Sequence, residues 1–277
     1  MAYEVSSLPL LLRSGRELFT FYIYRLPNEL LMKLLIPAII LCTVVIGGCK
    51  TGDQKTEDEE EDADTASKTA TSGKADEGWI LLFDGQTMNG WRTFRNEEND
   101  SWEIVDGTLH CKPFDDAKKR ADLVTTDQYG NFELSFEWKI APQSNSGVMF
   151  RVTEEYEKPY FTGPEYQVLD DGGYPGEVKE ENFTAGNYDM HAPVNKKLNP
   201  VGEWNTSRIL ANGNHIEHWL NGDKVLEYEI GSEDWKERKA RSKWSDVEGY
   251  AVPTRGYIDL QDHGNEAWFR NIMIREL

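Results

Sequence analysis

Basic charge is scarce in this 277-residue chain. Lys and Arg number 30 against 49 Asp and Glu, for a formal net charge of −19. A nucleic-acid binder needs a basic stripe to neutralise phosphates, so that class is excluded. Electrostatic docking on anionic lipid is excluded on the same ground. Cysteine is scarce too, with three residues at 42, 49 and 111. Several catalytic devices are missing. There is no Gly-x-Ser-x-Gly elbow, no Gly-rich phosphate loop, no His-Glu-x-x-His and no paired Cys-x-x-Cys. The chain is not short of aromatics, at 12%, which rules out disorder throughout.

Apolar runs are short as well. Residues 34–46 (LLIPAIILCTVVI) are uncharged and mostly apolar, too few for a comfortable membrane span and the right number for a signal-peptide core. Lys33 gives the positive flank. The core ends in Ile46-Gly47-Gly48-Cys49, which resembles the lipobox of bacterial lipoproteins. That resemblance implies lipidation of Cys49, cleavage just before it, and an exported domain anchored to a bacterial membrane by lipid. Residues 1–48 are therefore expected to be an address region. Met32-Lys33-Leu34-Leu35 reads as a signal-peptide start, so translation is expected from Met32. Terminal sequencing of the precursor checks this, and a precursor beginning at Met1 contradicts it. With Cys42 in the signal and Cys49 lipidated, Cys111 is left alone, so no intrachain disulfide is expected. It reads as a packed thiol.

Residues 50–77 carry ten acidic residues and four Lys, with no aromatic. No core forms from such a segment, which reads as a solvated, self-repelling tether. Residues 49–77 thus join the lipid to one domain at 78–277. The domain keeps −14 of the charge, the tether −6, and the region before Cys49 +1.

From Gly78 the pattern becomes that of strands. Phe132 to Ile140 alternates apolar and polar over nine residues. Shorter runs are expected at 80–83, 123–126, 148–152, 166–169, 207–210, 216–220, 224–228, 257–260 and 268–274. Asn221-Gly222 suits a type I′ hairpin turn. Ser232, followed by Glu233 and Asp234 and then by Lys236, Arg238, Lys239 and Arg241, predicts one capped helix. About ten strands and one helix point to an all-β sandwich of two sheets.

Polar residues inside these strands are the candidate site. Alternation puts Glu165 and Gln167 on one face with Leu169, and Tyr166 and Val168 on the other. It puts Arg151 with Met149, opposite Val148 and Phe150. Tyr257, Asp259, Gln261 and His263 are expected opposite Ile258 and Leu260. His218 is a further polar side chain within a strand, and Tyr188, Asp189 and His191 lie in an aromatic-rich loop. Together they predict a groove of hydroxyl-binding groups and aromatic surface, which suits a sugar. Taken one by one, each is equally an ordinary solvent-facing residue. The run Glu165-x-Gln167-x-x-Asp170 departs from the Glu-x-Asp-x-x-Glu of laminarinase-like glycosidases. Retaining hydrolysis needs carboxyls about 5–5.5 Å apart, which this spacing does not supply.

The sequence motifs also form an ordered set. They are Leu82-Phe83-Asp84-Gly85 with Gly90-Trp91, Trp102 with Asp106-Gly107-Thr108-Leu109, Asn145 to Arg151, Pro164 to Asp170, Glu203-Trp204-Asn205, His218 to Gly222, Gln261-Asp262-His263-Gly264 and Phe269 to Ile272. This set resembles the bacterial 3-keto-disaccharide hydrolase domain. The resemblance implies a concanavalin A-like lectin/glucanase jelly roll, export, and cleavage of glycosides oxidised to a ketone at C3. A C3 ketone acidifies the C2 proton, so one base can start an elimination of the C1 oxygen. On that reading Glu165 or His218 is the base, Arg151 and Gln167 hold sugar or enolate, and His263 or Tyr188 is the acid. Asp170, Gln261, Asn145 and His191 join Gln167 as candidate substrate contacts. A divalent metal ion is an admissible electrophile that no spacing demonstrates. The rival expectation is a non-catalytic carbohydrate-binding lipoprotein on the same fold.

Overall fold

The structure is a computed structural model, and it describes residues 7–14, 17–24 and 78–277. The signal core, Cys49 and the tether lie outside the described residues. Strands β1 (Ser7–Ser14) and β2 (Glu17–Tyr24) pair antiparallel, from Ser7 opposite Tyr24 to Ser14 opposite Glu17.

The domain from Gly78 onward contains two antiparallel sheets. Its strands are β3 (Ile80–Leu81), β4 (Trp91–Thr93), β5 (Trp102–Val105), β6 (Thr108–Cys111), β7 (Leu123–Thr125), β8 (Phe132–Ile140), β9 (Asn145–Val152), β10 (Glu165–Leu169), β11 (Asn205–Asn212), β12 (His215–Leu220), β13 (Asp223–Glu229), β14 (Tyr257–Leu260) and β15 (Ala267–Glu276). One sheet has the order β10-β9-β14-β7-β4. The other runs β13-β12-β11-β8-β15-β6-β5, with β3 also paired to β15. This is the expected jelly-roll sandwich. The strands missing from the sequence reading are β4, β5 and β6, each four residues or fewer. Runs that short show no period, although the Asp106-Gly107 turn between β5 and β6 was visible.

The larger sheet follows its sequence pattern. Phe132, Leu134, Phe136, Trp138 and Ile140 of β8 are buried between the sheets. The alternate residues face outward, where Glu137 pairs with Arg270 (2.7 Å) and Glu133 pairs with Arg208 and Arg275. Each buried large side chain contributes about 1.5–3 kcal/mol of transfer free energy. Some of the polar atoms buried here are paired with one another. Ser207 Oγ accepts from Trp138 Nε1 (2.8 Å) and is bonded to the Tyr166 hydroxyl (2.7 Å). The β12–β13 hairpin turns at Asn221 (φ 49°) and Gly222 (φ 89°), both left-handed as a type I′ turn requires.

The smaller sheet is different, because all of β9 and β10 is buried. Val148, Phe150, Tyr166, Val168, Ile258 and Leu260 fill the inter-sheet core. On the opposite face, Phe94, Val124, Met149 and Val152 form a second, small apolar cluster. A sheet covered on both faces can bury polar groups between strand and cover, and the site lies there.

Helix α1 (Glu233–Arg241) begins where expected, with Ser232 Oγ accepting from Trp235 N (3.1 Å). It is fixed by stacked rings. His191 lies on Tyr228 (4.7 Å), Tyr228 on Trp235 (5.6 Å), Trp235 on Tyr250 (5.8 Å) and Tyr250 on Trp244 (4.5 Å), all within 20° of parallel. Such pairs contribute about 0.5–1.5 kcal/mol each beyond their buried area.

Candidate active site

The register sets the first row of the site. Glu165 stands opposite Met149, Met149 opposite Asp259, Asp259 opposite Val124, and Val124 opposite Arg92. Two carboxyls therefore point from one sheet face with Met149 between them. Glu165 is 4% exposed and Asp259 is 0% exposed. The Glu165 carboxyl lies over Gly147. A Cβ there would stand 2.9 Å from its Cδ and Cγ, and nearer still to Oε1. The Gln167 amide, oriented with its nitrogen toward Glu165, donates to Glu165 Oε1 (3.0 Å) and to the Ser146 carbonyl (3.1 Å). The base candidate is thus held in one orientation by its own strand and its neighbour.

Burial, above all, pushes the Glu165 carboxyl up to about 8. The Lys243 ammonium pulls it back, Asp122 adds to the rise, and the Gln261 side chain opposes it. Asp122, next to β7, is itself raised to about 7 by burial. Asp259 is raised well above the carboxylate range by burial and by the neighbouring Asp122 and Glu165. Neither of its carboxyl oxygens has a partner. Burial and the two neighbouring carboxyls thus favour its protonated form. Three carboxyls that cannot all ionise together are the kind of set that tunes one of them for proton transfer.

A cleft of about 290 Å³ opens beside this row, lined by Phe94, Asp122, Tyr160, Gln261 and His263 among others. That is near the lower bound of ligand pockets, about 300 Å³. Asp122 and Gln261 belong both to the cleft wall and to the surroundings of Glu165. Tyr188 comes from the loop after β10, where its backbone N donates to the Glu165 carbonyl (3.1 Å). Its phenol is raised by burial and by Glu165.

Residues 78–275 match the family described as a 3-keto-alpha-glucoside-1,2-lyase-like domain. The chain belongs to this family. A 3-keto-disaccharide hydrolase of Bacteroides thetaiotaomicron is 33% identical over 229 residues, covering 73% of this chain and 79% of that one. A crystal structure from Parabacteroides distasonis, assigned provisionally as a glycosyl hydrolase, is 38% identical with a TM-score of 0.68. It covers 73% of this chain and 94% of its own. A second such structure from the same organism is 27% identical with a TM-score of 0.55, covering 72% of this chain and 99% of its own.

Within this family fold, the structure gathers only part of the sequence-expected set. Gln261 and the exposed His263 line the cleft, while Glu165, with Gln167 and Tyr188 beside it, stands behind the wall that Asp122 and Gln261 share with it. Asn145 lies on the same sheet face, opposite Leu169 at the end of the row. Arg151 does not join them. It has φ 54°, and the β9–β14 register shifts beside it. That bulge turns its guanidinium away from Met149 to donate to the Gly130 carbonyl (2.9 and 3.0 Å), where Tyr228 is a neighbour. His218 is a core residue. It is fully buried on β12, with Nδ1 bonded to the Ala185 carbonyl (3.0 Å) and its ring against Tyr166, on the far side of β10 from Glu165. Burial lowers it to about 3, so it is neutral. His191 belongs to the ring stack and is lowered to about 4 by burial. Asp170 is committed to backbone donors of two loops, accepting from Gln143 N (2.8 Å) of the β8–β9 connection and from Gly173 N (2.9 Å) of its own.

The sequence reading overlooked Asp122, Tyr160 and Lys243, and gave Asp259 no role beyond its face. Asp122 precedes a three-residue strand, and Lys243 follows a helix whose docking rests on long-range contacts, the ring stack and the Arg238 bond to the Met190 carbonyl (3.2 Å) among them. A divalent ion, admissible from the residue types, would need clustered donors. Among the described residues, His215, Glu217 and Glu227 bring three ligand atoms within 4.8 Å of one another. They stand on β12 and β13, where Lys224 pairs with both carboxylates. Among the described residues, Glu165, Asp259 and Asp122 are not part of such a cluster.

Proposed function

We propose that the domain cleaves glycosidic bonds of sugars carrying a ketone at C3, by 1,2-elimination followed by addition of water. The observation that carries this reading is Glu165, a single buried carboxyl oriented by Gln167 over the Gly147 hollow and raised to about 8. A strong base of this kind fits abstraction of a proton made acidic by an adjacent ketone. Roughly a tenth of such a group is ionised at pH 7. The matched family and the Bacteroides relative bear names for the same substrate class.

The steps follow from the residues present. Glu165 takes the C2 proton, and the C2–H electron pair becomes the C2=C3 bond as negative charge moves to the C3 oxygen. That charge returns, a C1=C2 bond forms, and the C1 oxygen leaves with its electron pair. His263, exposed at the cleft wall, donates the proton to it. Tyr188 is the weaker donor, since its phenol is raised. The protonated form of Asp259, which burial and the adjacent carboxyls favour, keeps a second negative charge away from the base. Water then adds across C1=C2: its oxygen bonds C1 as His263 takes its proton, and Glu165 returns a proton to C2. Export and lipidation at Cys49 complete the proposal by placing the domain outside the cytoplasmic membrane.

The test is release of a chromophore from a p-nitrophenyl 3-keto-glucoside, beside the unoxidised glucoside, in H2O and D2O. Release from the keto sugar alone, with solvent deuterium found at C2 of recovered substrate or product, is the expected result. Binding without release supports a carbohydrate-binding protein instead. Equal release from both glucosides contradicts the ketone requirement.

A further inference from the structure

The charge that develops on the C3 oxygen needs a cation, and Arg151 is turned away. Lys243 is placed for the task. Its Nζ stands 3.8 Å from the centroid of the Tyr188 ring, 4.3 Å from Trp244 and 5.9 Å from Tyr160. Tyr160 also lines the cleft. Among the described residues, the Lys243 ammonium makes no ion pair and no hydrogen bond; the rings are its surroundings.

The chain around it is fixed. Lys243 N donates to Asp189 Oδ2 (2.7 Å), and Trp244 Nε1 donates to the Tyr188 carbonyl (3.1 Å). Tyr188 N is in turn bonded to Glu165. Three hydrogen bonds therefore link the backbone that carries the ammonium to the strand that carries the base. An aromatic cage holds a cation without using its N–H donors, which stay free for an oxygen of the ligand. Most surface lysines lack such fixing, and preorganised charge is what stabilises a developing oxyanion.

We infer that Lys243 is a catalytic residue that holds the C3 oxygen of the substrate and stabilises the enolate formed when Glu165 removes the C2 proton. The inference rests on the ketone reading above. The step is a proton transfer only: Glu165 gains the proton, the C2–H pair becomes the C2=C3 bond, and the oxygen charge is paired with the ammonium. The charged groups facing Lys243 are Glu165 from β10 and Asp189 from the loop after it, with Tyr188 and Tyr160 as the titratable rings.

Lys243→Met and Lys243→Arg, assayed on the 3-keto-glucoside across pH, test this. Lys243→Met is expected to lower kcat about 100-fold or more, the usual effect of removing one oxyanion partner, with a much smaller change in KM. The acid limb of kcat/KM is expected to move to higher pH, because the cation that restrains Glu165 is gone. Lys243→Arg is expected to restore the limb and part of kcat. A merely structural lysine would move neither the limb nor kcat selectively. Wild-type kcat, or an unmoved limb, in a folded Lys243→Met protein overturns the inference. If instead the wild type releases nothing from any keto sugar, the ketone reading fails and Lys243 is not at issue.

Discussion

Glu165→Gln is expected to abolish turnover of the keto sugar, by about three orders of magnitude or more, and to make the protein more stable in alkaline solution. The first effect follows because the amide keeps the shape and hydrogen-bonding capacity of the carboxyl but cannot take a proton. The second follows from burial. Glu165 is raised to about 8 in the folded protein, against about 4.3 in an unfolded chain. A group raised in this way binds its proton more tightly when folded. Its contribution is fully present below pH 4.3 and is lost as pH rises through 8. Asp122 and Asp259 act in the same direction. Wild-type Tm is therefore expected to fall between pH 5 and pH 9, and Glu165→Gln to lie on the order of 5 °C above it at pH 8. Calorimetry across pH, with the chromophore assay, checks both. Retained turnover would remove Glu165 from the base role. A variant with lower Tm than wild type at pH 8 would show that the carboxyl is not buried at a cost.

Gly147→Ala is the second large effect. Here one methyl group, on the strand beside the base, would occupy the hollow that the Glu165 carboxyl fills. Gly147 is paired with Gln167, so its backbone cannot retreat without breaking the β9–β10 ladder. The carboxyl must move instead. Displacement of about 1 Å in a reacting group costs on the order of 100-fold in rate. The expected result is a kcat at least that much lower in a protein that still folds, with a stability cost of about 1–3 kcal/mol from overpacking. Kinetics and thermal unfolding on the same sample separate the two. Wild-type kcat in Gly147→Ala would mean that the seat of the carboxyl is not what positions it.

The sequence carried most of the sandwich because its long strands each bury one face or pass through the core. Phe132 to Ile140 was legible end to end, and so were the Asn221-Gly222 turn and the Ser232 cap. The site was legible only where alternation held. Glu165 and Gln167 point as alternation requires. Arg151 does not, since a bulge is a local departure from period 2 that side-chain chemistry does not announce. His218 looked like a groove residue because a polar side chain on a strand does not say which face is the core. Its bond to the Ala185 carbonyl is a long-range contact. Lys243 needed the docking of α1, which is decided by rings from β13, the helix and the segment after it.

The ring stack from His191 to Trp244 has a consequence for how such a site changes over generations. The base belongs to the sheet, and the cation belongs to a cassette seated on the stack. The two communicate through three hydrogen bonds, one backbone to backbone and two between a side chain and the backbone. Residues in the cassette can be exchanged while the stacked rings keep its seat and the strand register keeps the base. A lineage can therefore retune what the domain grips without rebuilding the residue that pulls the proton.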